Sequence, residues 1–174
     1  MVQKRILVTR APGEQSKGLV HLSNGVRPCA LGGSGLGVLK REGDGLTPLG
    51  VFPLRQLLYR DDRVMRPRTL IPVHAIRASD GWSDDSDDRN YNRMIALPSP
   101  RSAETLKRED HLYDLVLVMG YNDCPRVRGR GSAVFIHLAR PEYTPTEGCI
   151  ALSKRDFLAL LREVGPGTRI EVRG

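Results

Sequence analysis

A mainly β domain with one or two helices, curved into a sandwich or half-barrel, is the fold class this sequence predicts. Three observations predict it. Short runs of branched residues recur between Gly, Pro, Asn and Asp clusters. Only one segment carries a clear helical apolar face. No linker or composition shift divides the 174 residues, a length that buries enough surface for one domain, taken as 1–174.

Residues 5–10 open the chain as a strand. Residues 19–22 and 26–31 flank Asn24-Gly25, a pair suited to a type I′ hairpin turn, and Pro28 predicts an edge position for the second arm. The run Gly32-Gly33-Ser34-Gly35-Leu36-Gly37 fits neither phosphate-loop pattern and reads as a flexible connection between strands. Residues 69–76 and 112–119 read as buried strands, with a polar loop over 77–93 between them. A weaker helix is expected from Ser102 through Leu106. Residues 132–138 alternate and end near His137, and 148–152 form another short strand. The clear helix starts at Ser153, a good N-cap, with Asp156 in its first turn and Phe157, Leu158, Leu160 and Leu161 on its apolar face. Gly165-Pro166-Gly167 stops it, and 168–172 returns as a strand.

Hydrophobic residues make up 40% and charged residues 27%, which excludes wholesale disorder. The apolar runs at 115–119 and 133–136 are far too short to span a bilayer, so no membrane span is expected. The net charge is +7, and 22 of the 27 basic residues are Arg. A polyanion partner is one reading of that charge: nucleic acid, an anionic membrane or a cell-wall polymer. Scattered Arg is the other and is preferred, since only Arg126, Arg128 and Arg130 cluster and aromatics reach only 5%. Nucleic acid is therefore not an expected partner. Residues 1–10 contain no apolar run long enough for a secretory signal, which argues against the usual export route and leaves a cytoplasmic location open.

Cys29, Cys124 and Cys149 are odd in number and widely spaced, which argues against zinc-ribbon and thioredoxin-type sites. His21, His74 and His111 show no metal-ligand spacing and read as structural or surface residues; neither metal nor organic cofactor is expected. The informative stretch runs from His137, at the end of a strand, to Glu147-Gly148-Cys149, at the start of the next. A thiol attacks as thiolate, and a neighbouring imidazole supplies that by taking its proton. Gly148 leaves room for a carbonyl to approach, and the amides of Gly148 and Cys149 are natural oxyanion donors, each worth roughly 3–4 kcal/mol of barrier in a dry site. Spacing alone also fits a core cysteine and a satisfied polar histidine.

The segment from His137 to Thr146-Glu147-Gly148-Cys149 resembles the catalytic motif of the YkuD-type L,D-transpeptidases. Thr47-Pro48-Leu49-Gly50-Val51-Phe52 is similar to a second segment of that family, and Trp82-Ser83-Asp84-Asp85, Tyr91-Asn92 and Gly120-Tyr121-Asn122 resemble a small divergent branch of it. The resemblance covers about residues 20–152. It implies a mainly β catalytic domain, Cys149 as nucleophile, His137 as base, and acyl transfer on peptidoglycan stem peptides at an L-centre. It also implies acylation by carbapenems, with Cys149 labelled by these or by iodoacetamide ahead of Cys29 and Cys124. The substrate would place the protein in the periplasm or cell envelope.

Three departures stand out. Glu147 replaces the motif's second His, Ala151 stands where Asn or Arg is usual, and the His-to-Cys gap is short. Glu147 would favour a cationic amine acceptor or, pointed at the sulfur, oppose the thiolate. Arg140 and Tyr143, in the intervening loop, are candidate contacts for a substrate carboxylate. In the acidic stretch 80–88, the readings are a solvated loop, a calcium loop of unfamiliar pattern, or a pocket wall with Trp82 as apolar face and Asp84 or Asp85 binding an ammonium. Tyr121 and Asn122 complete the candidate binding residues. A hydrolase using the same Cys–His pair, an L,D-carboxypeptidase or amidase, and a basic nucleic-acid-binding protein are the alternatives.

Overall fold

The computed structural model describes residues 2–174. In chain order the strands are β1 (Arg5–Arg10), β2 (Lys17–Leu22), β3 (Gly25–Ala30), β4 (Leu36–Gly37), β5 (Thr47–Pro48), β6 (Gly50–Tyr59), β7 (Val73–Ala75), β8 (Asp80–Ser83), β9 (Met94–Ala96), β10 (Ala103–Thr105), β11 (Leu115–Met119), β12 (Phe135–Leu138) and β13 (Ile150–Leu152). Helix α1 (Lys154–Leu161) and β14 (Arg169–Arg173) follow.

Nine strands form one sheet in the order β11-β12-β13-β3-β2-β1-β14-β6-β7, and β11 also pairs with β6. That extra pairing closes the sheet on itself. The long β6 makes closure possible, because its first half pairs with β14 while its second half meets β11 and β7. No single run of alternation marked β6 as the hinge of the fold.

Alternation along the strands divides the interior in two. Leu115, Leu117 and Met119 of β11 point into an inner core with Ile136, Leu138, Ile150, Leu152 and the Phe157, Leu160 and Leu161 face of α1. Val116 and Val118 point outward into a second cluster with Leu58, Trp82, Tyr113 and Phe135. Burial on both faces is why 115–119 is a continuous apolar run rather than an alternating one. The cover of the second cluster is a three-stranded sheet, β10-β8-β9.

Several local expectations change. The hairpin turn centres on Ser23-Asn24, with Leu22 opposite Gly25, whose φ of 120° starts β3. β3 is not an edge strand. Leu31 N donates to Ser16 O, so by alternation Pro28 faces the other side, where β13 reaches only Ala30. The loop over 77–93 contains β8, and Ser102–Leu106 holds strand β10 instead of a helix. Both are decided by pairing, Ala103 with Ser83 and Thr105 with Gly81, which short-range propensity does not report. Of the strand expected over 69–76, only β7 forms. At the N-terminus of α1, Ser153 caps as expected and accepts from Asp156 N.

Candidate active site

Strands β12 and β13 run parallel with Ile136 opposite Ile150 and His137 opposite Ala151. Ile136, Leu138, Ile150 and Leu152 face the inner core, so the side chains between them face outward. Cys149, just before β13, lies on that outer face and packs against the second cluster, to which Phe135 belongs. Cys149 and His137 thus sit at neighbouring strands, two register positions apart and so on the same face, and both line one cavity of about 550 Å³.

The imidazole is buried, and His137 Nδ1 lies 2.8 Å from Leu138 O. A carbonyl only accepts, so Nδ1 carries the hydrogen and Nε2 keeps its lone pair. Burial drives the His137 pKa down to about 4, only partly offset by the Leu138 bond. The ring is neutral at pH 7. Tyr113 meets it edge-on at 5.5 Å between centroids and donates its hydroxyl to Glu104 Oε1 at 2.6 Å.

The Cys149 sulfur contacts Ala133 O at 3.2 Å and accepts from Phe135 N at 3.3 Å. Burial pushes its pKa up to about 12, with the Phe135 amide pulling the other way. At rest the site therefore holds a neutral thiol and a neutral imidazole.

The loop carrying the cysteine is pinned by backbone. Thr146 N donates to Leu31 O, and Gly33 N donates to Thr146 O. The glycine-rich run is thus a brace for the Cys149 loop. Thr146 Oγ1 donates to Cys149 O at 2.6 Å and accepts from Gly148 N at 3.2 Å. This corrects the expectation for Gly148, whose amide is engaged by Thr146 and does not point an unused donor at a substrate. Gly148 has φ 131°, and a Cβ there would lie 2.6 Å from Leu46 O, so only glycine fits.

The expected binding residues separate into two groups. Asp84, Arg140 and Glu147 line the cavity with the Cys–His pair. Trp82, Asp85, Tyr121, Asn122 and Tyr143 do not. Trp82 is core: its ring packs edge-on against Phe135 at 5.0 Å, and Nε1 donates to Asn92 Oδ1. Asp85 pairs outward with Arg101. Tyr143 ends the 3-10 turn Pro141–Tyr143, outside the cavity lining. Tyr121 and Asn122 border a separate cavity of about 310 Å³, and Asn122 holds the 127–131 turn through Val127 and Gly131.

The displaced motif residues form a scaffold behind the sulfur. Asn92 Oδ1 accepts from Trp82 Nε1 at 2.9 Å and Ala133 N at 3.1 Å, while its Nδ2 donates to Tyr121 O and Asn122 O. One carboxamide ties three segments to the residue whose carbonyl meets Cys149.

Sequence reasoning missed Lys40, Glu42, Glu104, Arg108 and Tyr113, all on the cavity wall. Arg108 is clamped by Asp110 at 2.9 and 2.7 Å. Glu104 has its pKa raised by burial despite the Tyr113 bond. Asp84 Oδ1 is buried without a hydrogen-bond partner among the described residues. None of these positions has a local pattern that announces it. The one signal the sequence offers is the charge-dense loop holding Lys40, Glu42 and Asp44, shortly before the Thr47-Pro48 segment.

Compared with known proteins, the chain matches the family model of the YkuD L,D-transpeptidase catalytic domain over residues 14–172. No curated protein sequence matches it. A crystal structure of Mycobacterium tuberculosis L,D-transpeptidase 1 is similar at 15% identity and a TM-score of 0.41. That alignment covers 98% of this chain and 62% of the other, so this chain spans less than two thirds of that protein's length.

Proposed function

The chain belongs to the YkuD family of L,D-transpeptidase catalytic domains, and from that membership we propose that it is a cysteine acyltransferase acting on peptidoglycan stem peptides, with Cys149 as nucleophile and His137 as base. The supporting observation is that the parallel pairing of β12 with β13 sets these two side chains on one face of one cavity. The residues would act as follows. His137 Nε2, its lone pair kept by the Nδ1–Leu138 bond, takes the Sγ proton as sulfur bonds to the carbonyl carbon at an L-centre. The tetrahedral intermediate then collapses. The scissile C–N bond breaks, the terminal D-amino acid leaves with the proton from His137, and a thioester remains. An amine of a second stem attacks it, His137 takes the amine's proton, and the proton returns to sulfur as the new amide forms.

An amine acceptor is favoured over water by the carboxylates in the cavity lining. Asp84, Glu104 and Glu147 gather there, and the orphaned Asp84 oxygen lacks the donor that an ammonium would bring. The same substrate places the protein in the cell envelope. The test is mass spectrometry of a tetrapeptide reaction with and without excess amine, alongside Cys149→Ala. Adduct at Cys149 and an amine-linked product are expected. Tripeptide alone, in excess amine, would make the protein a carboxypeptidase; turnover by Cys149→Ala would remove the proposal.

A further inference from the structure

Lys40 is a buried cation that the mechanism above does not use. Its side chain is 3% exposed, yet it borders the cavity. Its Nζ donates to Asp44 Oδ1 at 2.8 Å and reaches Arg41 O at 3.5 Å, so at most two of its three hydrogens have acceptors among the described residues. Asp44 is itself fixed by the amides of Arg41 and Leu46. Two glycines make way for this lysine. A Cβ at 131 would lie 2.8 Å from its Cε, and a Cβ at 148 would lie 3.1 Å from its Nζ. The ammonium therefore rests against the residue that precedes the nucleophile. Of the other cavity cations, Arg108 is committed to Asp110, and Arg140 belongs to the loop that follows His137.

A desolvated lysine is costly, and its carboxylate partner alone does not require the pair to be buried. What does call for a fixed positive charge here is the chemistry. Attack on a carbonyl places negative charge on its oxygen beside Cys149, and with the Gly148 amide engaged by Thr146, only the Cys149 amide is left of the two backbone donors the motif offers. We propose that Lys40, seated by Asp44 against Gly148, is the charged donor that stabilises the oxyanion formed when Cys149 attacks. This rests on the acyl-transfer reading and assigns that reaction a residue no motif pointed to.

Two electrophiles separate this role from others. Iodoacetamide alkylates sulfur by displacement and forms no oxyanion, whereas a carbapenem or a tetrapeptide acylates through one. Both reactions are followed at Cys149 by peptide mass spectrometry in a Cys124→Ser background. The double variant Lys40→Met/Asp44→Asn removes both charges and leaves neither unpaired. It is expected to keep alkylation within about threefold of the parent while acylation falls roughly 10²–10³-fold, the usual loss for one oxyanion donor. Asp44→Asn alone keeps the ammonium but loosens its seat, and is expected to lose about tenfold in acylation only. Equal losses in alkylation and acylation would assign Lys40 to the thiol or to the fold and overturn the proposal. So would acylation within threefold of the parent in both variants. A parent protein that alkylates at Cys149 but is acylated by neither carbapenem nor tetrapeptide would instead remove the acyl-transfer reading, and the assignment of Lys40 with it.

Discussion

The Sγ of Cys149 lies 3.2 Å from the carbonyl oxygen of Ala133, an alanine held in the left-handed region at φ 50°. The thiol hydrogen has an acceptor there that is not the proposed base. Asn92 holds the turn by accepting from Ala133 N, and it too has a positive φ, 56°. Backbone conformations of this kind cost about 1–3 kcal/mol each and persist only when neighbours over-determine them. Here the carboxamide of Asn92 does so.

Asn92→Ala is therefore expected to destabilise the protein by about 2–4 kcal/mol, because it leaves the buried Trp82 Nε1 and Ala133 N without acceptors. Asn92→Gly relieves the backbone strain but not the lost bonds, and should fall between Asn92→Ala and the parent. Urea unfolding measures both. A loss below about 0.5 kcal/mol for Asn92→Ala, the range of ordinary surface changes, would mean that the scaffold does not depend on it.

Thiol labelling follows burial and access together. Cys29 is fully buried with its pKa pushed up to about 12, Cys149 is half-buried and protonated, and Cys124 is exposed. This reverses part of the expectation from sequence: iodoacetamide should label Cys124 first, Cys149 more slowly and Cys29 only on unfolding. A carbapenem, which enters the cavity and recruits His137, should label Cys149 alone. Peptide mapping after each reagent gives the ranking, and carbapenem found on Cys124 instead would contradict the site.

Gly148→Ala should abolish acylation. The new methyl would meet Leu46 O at 2.6 Å in a backbone with φ 131°, so either the loop shifts or Lys40 is displaced. A stability loss of about 1–3 kcal/mol accompanies such overpacking. Retention of more than a tenth of the acylation rate would show that the loop tolerates the methyl and that the close approach is not needed.

The pH dependence of folding isolates His137. Its pKa falls from 6.5 in the unfolded chain to about 4 in the fold, so between those values the unfolded state binds more protons. Its contribution is complete above pH 6.5 and is lost as the pH falls through 4, amounting to about 3 kcal/mol at most. Glu104, whose pKa is raised by burial, acts in the opposite sense. The quantity to measure is thus the difference between the parent and His137→Gln across pH 4–7. A difference that does not change with pH would show that the ring is not buried neutral.

Much of the fold is legible in the sequence. The strand at 5–10, the later parts of those expected over 112–119 and 132–138, which begin only at Leu115 and Phe135, and the Ser153-capped helix stand on local patterns that the tertiary structure leaves intact. The 77–93 loop and the 102–106 helix are misread because β8 forms by pairing with β9 and β10, and β10 by pairing with β8. In the site, Cys149, His137, Gly148, Arg140, Glu147 and Asp84 share the cavity, whereas Trp82, Tyr121 and Asn122 serve as scaffold behind it. A motif marks that a residue matters without saying whether it faces ligand or core.

By itself, the sequence marked Cys149 and His137 as a candidate pair and set alternate residues of each strand on opposite faces. The reason is that facing in a strand has period two, a property of the local chain that survives any packing. Only the tertiary structure decided which charges surround that pair. Lys40, Glu42, Asp84 and Glu104 arrive from loops and strands far along the chain, and whether a charged side chain is buried depends on a distant partner that no local period encodes.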